Sequence, residues 1–377
     1  MVEFWAAALA LSLLLYVLLD GFDLGVGMLY PFAPGERARA QLLSSISPVW
    51  DGNETWLVLA AATLFGAFPL VYSIAISAFY LPIQLMLVSL ILRGVAFEFR
   101  YKAGPTMARV WDAGFVGGSY LATFIQGVTV GAFVAELPIE GGRFVGGPFF
   151  WLQPLALACG VGLCLGYAMM GSCWVIGKTE GRTRDFAYRV LPWLATALLA
   201  FLATSFVISL HRHLQVMDRW IERPALIAFP FAGLLAGAGI AWGWKARRDR
   251  LLFPCGAVIF ASAFGTLAAS FLPYMVPFTI TVEQGAAPLS SLTFMFWGAG
   301  VIVLPLTLAY TAAVYFIFRG RVGDGDGYAG GGQAPEPAVA SAAPAIAAER
   351  SGTPVLTAVA GFLVMLGIRS LLRRLTR

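Results

Sequence analysis

Between residues 4 and 318 this chain runs through one apolar stretch after another, each long enough to cross a bilayer, and nothing else restricts its fold as severely. In hydrocarbon every backbone N–H and C=O must find a partner inside the protein, so spanning segments fold as α-helices or close into a barrel. The stretches fall near residues 4–29, 54–71, 73–97, 113–135, 149–176, 190–210, 225–244, 251–272 and 290–318. Each reaches the roughly 17–25 residues that a helix rising about 1.5 Å per residue needs to span the hydrocarbon core. They predict an all-α, polytopic membrane helix bundle of about nine transmembrane helices over residues 1–320. Composition agrees: hydrophobic residues are 59% and charged residues 12% of the 377, against roughly 45–50% and about 25% in soluble domains.

Several stretches hold a proline, namely Pro82, Pro154, Pro192, Pro230 and Pro305, which a membrane helix accommodates as a kink. Spaced glycines, Gly127/Gly131, Gly162/Gly166 and Gly233/Gly237, predict close helix–helix approach, because membrane helices pack without a hydrophobic drive. Residues 4–29 carry no Lys or Arg before Arg37 and no AxA-like cleavage site, so they read as a retained helix rather than a signal peptide.

Basic residues are unevenly divided between the two sets of loops. Arg37, Arg39, Arg100, Lys102, Arg109, Lys178, Arg182, Arg184, Arg189, Lys245, Arg247, Arg248, Arg250, Arg319 and Arg321 follow the odd-numbered helices, and only Arg143, Arg212, Arg219 and Arg223 follow the even-numbered ones. Fifteen against four places the N-terminus outside and the end of the ninth helix in the cytoplasm. The net charge of +5 is spread over these short loops without an aromatic-lined patch, which excludes a nucleic-acid binder. Cys159, Cys164, Cys173 and Cys255 form no CxxC pair and read as buried, inert thiols rather than a zinc site or disulfide framework.

Residues 321–352 are rich in Gly, Ala and Pro and read as a disordered linker. In the final segment, 353–377, an apolar run at 354–368 is followed by Arg369, Arg373, Arg374 and Arg377. As a tenth span it would leave four arginines outside, so an interfacial segment held to anionic lipid fits the charges better, with a span as the alternative.

The few ionisable residues near the spans gather at the basic ends of the first three. Asp20 and Asp23 lie three residues apart, hence on one face of the first helix. They oppose the macrodipole near its C-terminus, so local helix stability does not explain them. The second helix opens with Trp50-Asp51-Gly52-Asn53-Glu54-Thr55-Trp56, where Asp51 and Glu54 have the spacing of a capping box. That capping and a proton- or ion-handling role are both open for this pair, since ionisable groups at membrane depth mark such pathways. The third helix ends with Arg93-Gly94-Val95-Ala96-Phe97-Glu98-Phe99-Arg100. Arg93 is the one basic residue within an apolar run of the nine, and a charge buried there is costly unless paired. Asp20, Asp23, Asp51, Glu54 and Glu98 are its candidate partners, either as a structural ion-pair knot or as carboxylates that pass protons inward. The two histidines, His211 and His213, share one external loop, a poor arrangement for ligating several haems within the bundle.

The strings Gly21-Phe22-Asp23-Leu24-Gly25-Val26-Gly27, Trp50 to Trp56 and Arg93 to Arg100 together resemble subunit II of the cytochrome bd-type quinol oxidases. Gly160-Val161-Gly162-Leu163-Cys164-Leu165-Gly166-Tyr167 and Lys178-Thr179-Glu180-Gly181 look like the cyanide-insensitive oxidase branch of that family. The likeness covers about residues 1–320. It implies a multi-pass protein of the bacterial inner membrane. It also implies a complex that oxidises quinol, reduces dioxygen to water and takes protons from the cytoplasm. By resemblance, haem b and haem d sit in the partner, subunit I, and none is ligated by this chain. A small single-helix subunit is a further implied partner, and in some members a quinone fills a groove in this subunit. Carried over by motif, Asp51 lies on a proton path with Asp20, Asp23, Glu54 and Glu98, while Trp50, Arg93 and Arg100 brace it at the subunit boundary. Some relatives carry an amide where Glu54 stands, and the linker and tail lie outside the family's nine-helix unit. Two alternatives from other classes are a proton- or sodium-coupled secondary transporter and a purely structural scaffold. The acids hug one membrane face, whereas a transporter of inverted repeats would place them near the midplane.

Overall fold

A computed structural model describes residues 1–135, 137–212 and 223–323, with side chains for all of these except 206–212. The 353–377 segment, with its choice between interface and tenth span, lies outside the described residues, as do residues 324–352 of the expected linker.

Long helices dominate, as the apolar stretches require. They are α1 (Val2–Leu29), α2 (Glu36–Ile46), α3 (Trp50–Ala67), α4 (Pro69–Phe99), α5 (Pro105–Val134), α6 (Pro154–Lys178), α7 (Gly181–Arg212), α8 (Ala228–Lys245) and α9 (Asp249–Phe271). A single turn, α10 (Val282–Gly285), precedes α11 (Leu289–Met295), a π-helical stretch Phe296–Val303 and α12 (Leu304–Ile317). Seven of the described helical segments are long and apolar enough to cross a membrane. α3, with Asp51, Asn53 and Glu54 in its first two turns, and α5, rich in Gly, Ser and Thr, are less apolar and pack along α1 and α4 respectively.

Several boundaries differ from the hydropathy reading for local reasons. α5 starts eight residues before the expected 113, because Gly104-Pro105 opens the helix and charged Arg109 and Asp112 mask its first turns. Pro154 is the first residue of α6 rather than an interior kink, a position where its missing N–H is not needed. Pro82 does sit inside α4, next to the non-helical Phe79 at φ −117°, ψ 19°. The π stretch runs up to Pro305, which cannot donate to a helical partner. α2 was not foreseen: it is a short amphipathic helix whose Ala38, Leu42 and Ile46 repeat every four residues on its buried side.

The Lys/Arg-rich helix ends are joined to one another. Gln41 of α2 donates to the Val322 carbonyl at 2.8 Å, and Trp174 of α6 donates to Ser45 O at 3.3 Å. Val322 N donates to Lys178 O at 2.8 Å and Arg321 pairs with Asp249 at 2.7 Å. Residues 321–323 are thus strapped to α6 and α9, which corrects the linker's expected start at 321. The far end is closed by two β-hairpins, 139–144 and 274–281, and by Trp5, which donates to Leu292 O at 3.1 Å.

Two apolar cores fill the bundle. The one toward the basic end is built on Phe22, Leu24, Met169, Met170 and Leu252, the other on Phe68, Phe79, Val128 and Trp151. Close approach depends on glycine where expected at Gly127 and Gly131, whose added Cβ would meet the α6 backbone and Cys159. An equally tight contact went unread: Gly25 of α1 lies against Tyr167 and Gly171 of α6, with no room for a side chain. Gly237 has open space instead, so the Gly233/Gly237 pair does not mark a packing face. The four cysteines are free thiols, Cys173 fully buried.

Candidate functional site

α1 and α3 cross so that Asp20 and Asp23 meet the first two turns of α3, and α4 brings Arg93 to the same point. All three of these charged side chains are essentially inaccessible, at 0%, 0% and 1% exposure. Arg93 Nη1 lies 2.7 Å from Glu54 Oε1 and 3.5 Å from Asp20 Oδ1. Glu54 is the outermost member, with 24% of its side chain exposed. Asn53 Nδ2 donates to Asp23 Oδ2 at 2.6 Å and to Leu19 O at 3.2 Å, while Tyr315 of α12 donates to Asn53 Oδ1 at 3.0 Å.

The sequence-named residues therefore separate into two groups. Asp20, Asp23, Glu54 and Arg93 form one buried cluster, and Asn53 links it to α12. Asp51 is exposed one turn outside it, Trp50 is half-buried over Gly94 and Phe97, and Glu98 is half-buried about 140° around α4 from Arg93. The capping-box alternative for Asp51 and Glu54 is corrected: Val49 is the N-cap of α3, no side chain caps it, and the Glu54 carboxylate binds Arg93 instead of reaching back. Arg100 does brace helices, though away from the buried cluster. It pairs with Asp112 of α5 and, at 2.9 Å, with Glu36 of α2, and Tyr30 donates to Asp112 at 2.6 Å.

Sequence reasoning missed the neutral half of the site. One turn along α1 from Asp20, Tyr16 accepts a 2.6 Å hydrogen bond from Gln126 of α5, and Tyr167 of α6 donates to Gln126 Oε1 at 3.3 Å. Gln126 was the signal available: it is an amide on the face of α5 that carries Ser119 and Thr123. From the end of α1, Asp23, Asp20 and Tyr16 sit about 9, 13 and 20 Å deep, so polar groups follow one another toward the bundle centre.

Stability alone does not explain this cluster. One guanidinium stands among three carboxylates and pairs with two of them, and among the described residues Asp23 Oδ1, Arg93 Nε and Arg93 Nη2 are buried without hydrogen-bond partners. Each such atom costs about 1–3 kcal/mol relative to water, and apolar residues of the same volume would pack α1, α3 and α4 without that penalty. Among the described residues no three His, Cys, Asp or Glu side chains gather as a metal site. The side chains of His211 and His213 are not among those described.

The family model for cytochrome bd terminal oxidase subunit II matches residues 1–318. The chain belongs to that family. Curated relatives agree: it is 28% identical to cytochrome bd-I ubiquinol oxidase subunit 2 of Escherichia coli over 357 residues, covering 84% of this chain and 94% of the relative. It is also 28% identical to cytochrome bd ubiquinol oxidase subunit 2 of Bacillus subtilis, covering 85% and 96%. A probable cytochrome oxidase subunit 2 of Haemophilus influenzae matches at 28%, covering 83% and 89%. Among solved structures the bd oxidase of Geobacillus thermodenitrificans superposes with a TM-score of 0.70 at 16% identity, covering 84% of this chain and 99% of that one, a likeness of fold. The chain is thus a multi-pass membrane subunit of a haem-containing terminal oxidase complex, an oxidoreductase in which subunit I is its partner. Family membership sets aside the coupled-transporter alternative.

Proposed function

We propose that this subunit delivers protons from the cytoplasm to the oxygen-reducing centre of the complex, through the cluster at the basic ends of α1, α3 and α4. In this reading subunit I oxidises quinol and holds haem b and haem d, and this chain supplies assembly surface and acid groups. Nine spans with the N-terminus outside complete the proposal, supported by the division of Lys and Arg between the loops.

The observation that carries the reading is the graded exposure of the acids. Asp51 is exposed, Glu54 a quarter exposed, and Asp20 and Asp23 fully buried beside a single arginine. Because two carboxylates share one guanidinium and Asp23 is buried beside them, the cluster has capacity to hold and exchange protons. Arg93 offsets one of the carboxylates' negative charges, Asn53 donates to Asp23 and Tyr315 holds Asn53. Tyr16, Gln126 and Tyr167 extend the polar route by groups that donate and accept at once. Haem chemistry reduces dioxygen in the assembled complex; this chain's residues hold or move protons toward it.

Replacing Asp51 by Asn in the assembled oxidase tests this. Quinol oxidase turnover falls while the haem spectrum and haem content stay at wild-type values. Unchanged turnover across the working pH range rejects Asp51 as the intake. Membership of the cyanide-insensitive branch, a small single-helix partner and a quinone held by this subunit belong to the same proposal. They rest on resemblance, and cyanide titration and mass analysis of the purified complex check them.

A further inference from the structure

On the basic end of the bundle, away from the acid cluster, the first turns of α7 and the α8–α9 turn enclose an open groove of about 820 Å³. Arg182, Asp185, Arg189, Trp193, Trp244 and Arg247 are among its lining residues. Arg182, Asp185, Arg189 and Trp193 recur at helical spacing along one stripe of α7. Among the described residues Arg182, Arg189 and Arg247 enter no ion pair within 4 Å. The neighbouring carboxylate of Asp249, by contrast, is already held by Arg184 at 2.9 Å, by Arg321 at 2.7 Å and by the Tyr188 hydroxyl at 2.5 Å. Three free cations therefore face the groove against one carboxylate, Asp185.

Arg247 is set there at a conformational cost. It occupies the left-handed region at φ 53°, at the position after α8 where a helix ordinarily places glycine. Arg248 N donates to Gly243 O at 2.8 Å and Arg247 N to Trp244 O at 3.4 Å, closing the turn around it. Its guanidinium lies 4.1 Å from the centre of the Tyr188 ring. That ring is fixed in turn by Asp249 and by Trp244, which donates to Tyr188 O at 2.9 Å. Beside these cations Trp193 is 78% exposed, the placement of an aromatic at headgroup level with its body in the acyl boundary.

We infer that this groove binds the phosphodiester headgroup of an anionic phospholipid. The three arginines supply charge and forked donors for phosphate oxygens, and the flanking Trp193, Pro192 and Trp244 supply an apolar wall for glycerol and the upper acyl chain. A basic pocket between membrane helices at the interface recognises lipid headgroups in this way. The lipid rather than a free phosphate is specified by the tryptophan wall, which a small anion would leave unused.

The test uses the intact purified oxidase complex, delipidated in nonionic detergent and titrated with dioleoylphosphatidylglycerol, with bound lipid counted by native mass spectrometry. Arg247→Gly removes a cation and relieves the left-handed backbone, and Arg182→Gln removes a second without touching the Asp249 ion pairs. The double variant is expected to keep the wild-type haem spectrum and turnover while losing one high-affinity lipid, with affinity reduced by roughly thirty-fold for two cations. Equal retention by variant and wild type overturns the site. Equal uptake of dioleoylphosphatidylcholine overturns the headgroup recognition, and binding of inorganic phosphate without phosphatidylglycerol overturns the lipid.

Discussion

Replacing Arg93 by Met strands two buried carboxylates that now share its guanidinium. At an effective dielectric of about 20, contacts of 2.7 Å to Glu54 and 3.5 Å to Asp20 are worth roughly 6 and 5 kcal/mol gross. Desolvating the three groups takes back most of that, and the Glu54 share is reduced further because a quarter of its side chain meets solvent. What the variant loses is set by the uncompensated charge left behind, about 3–5 kcal/mol. Asp20→Asn alone leaves Arg93 with its Glu54 partner and costs less, about 1–3 kcal/mol. The double variant Arg93→Met/Asp20→Asn is therefore milder than the sum of the two, with a coupling energy of roughly 0.5–3 kcal/mol. Apparent unfolding midpoints of the purified complex in sodium dodecyl sulfate, with haem retention as a second readout, measure the cycle. Additivity within about 0.5 kcal/mol would refute the shared-guanidinium argument.

Gly25→Val pushes α1 from α6, because any Cβ there overlaps the Tyr167 carbonyl; the yield of haem-containing complex drops sharply, while Gly117→Ala, with open space around it, leaves the yield intact. Tyr315→Phe removes one hydrogen bond to Asn53 and lowers stability by about 1 kcal/mol. Asn53→Leu costs more, since it strips Asp23 of its one hydrogen-bond partner among the described residues; the reverse order in the same unfolding assay contradicts the described network.

Legibility of this chain followed the physics of each signal. Apolar length alone disclosed the helices, because hydrocarbon leaves the backbone no alternative, and the positions of Arg93, Asp20 and Asp23 in or beside apolar runs disclosed the buried cluster. Pairing was less visible. Asp51 and Glu54 have capping-box spacing, yet an arginine from another helix outcompetes the local backbone donor for Glu54. The Tyr16–Gln126–Tyr167 chain joins residues up to 151 positions apart, and neutral side chains give no charge anomaly to notice. α2 hid in a loop because hydropathy averages its polar and apolar faces, although Ala38, Leu42 and Ile46 carry its period. Asp112 and Glu36, the partners of Arg100, lie outside the apolar windows, where a charge is no anomaly.

Proton uptake during turnover tests the central claim most directly. The complex is reconstituted into liposomes with its basic face toward a pH-sensitive dye, and Glu54→Gln is compared with wild type at matched haem content. Slower proton uptake from that face, in step with slower oxygen consumption, is the expected result. Wild-type uptake and turnover in the Glu54→Gln complex would contradict a proton route through the Glu54–Arg93–Asp20 cluster.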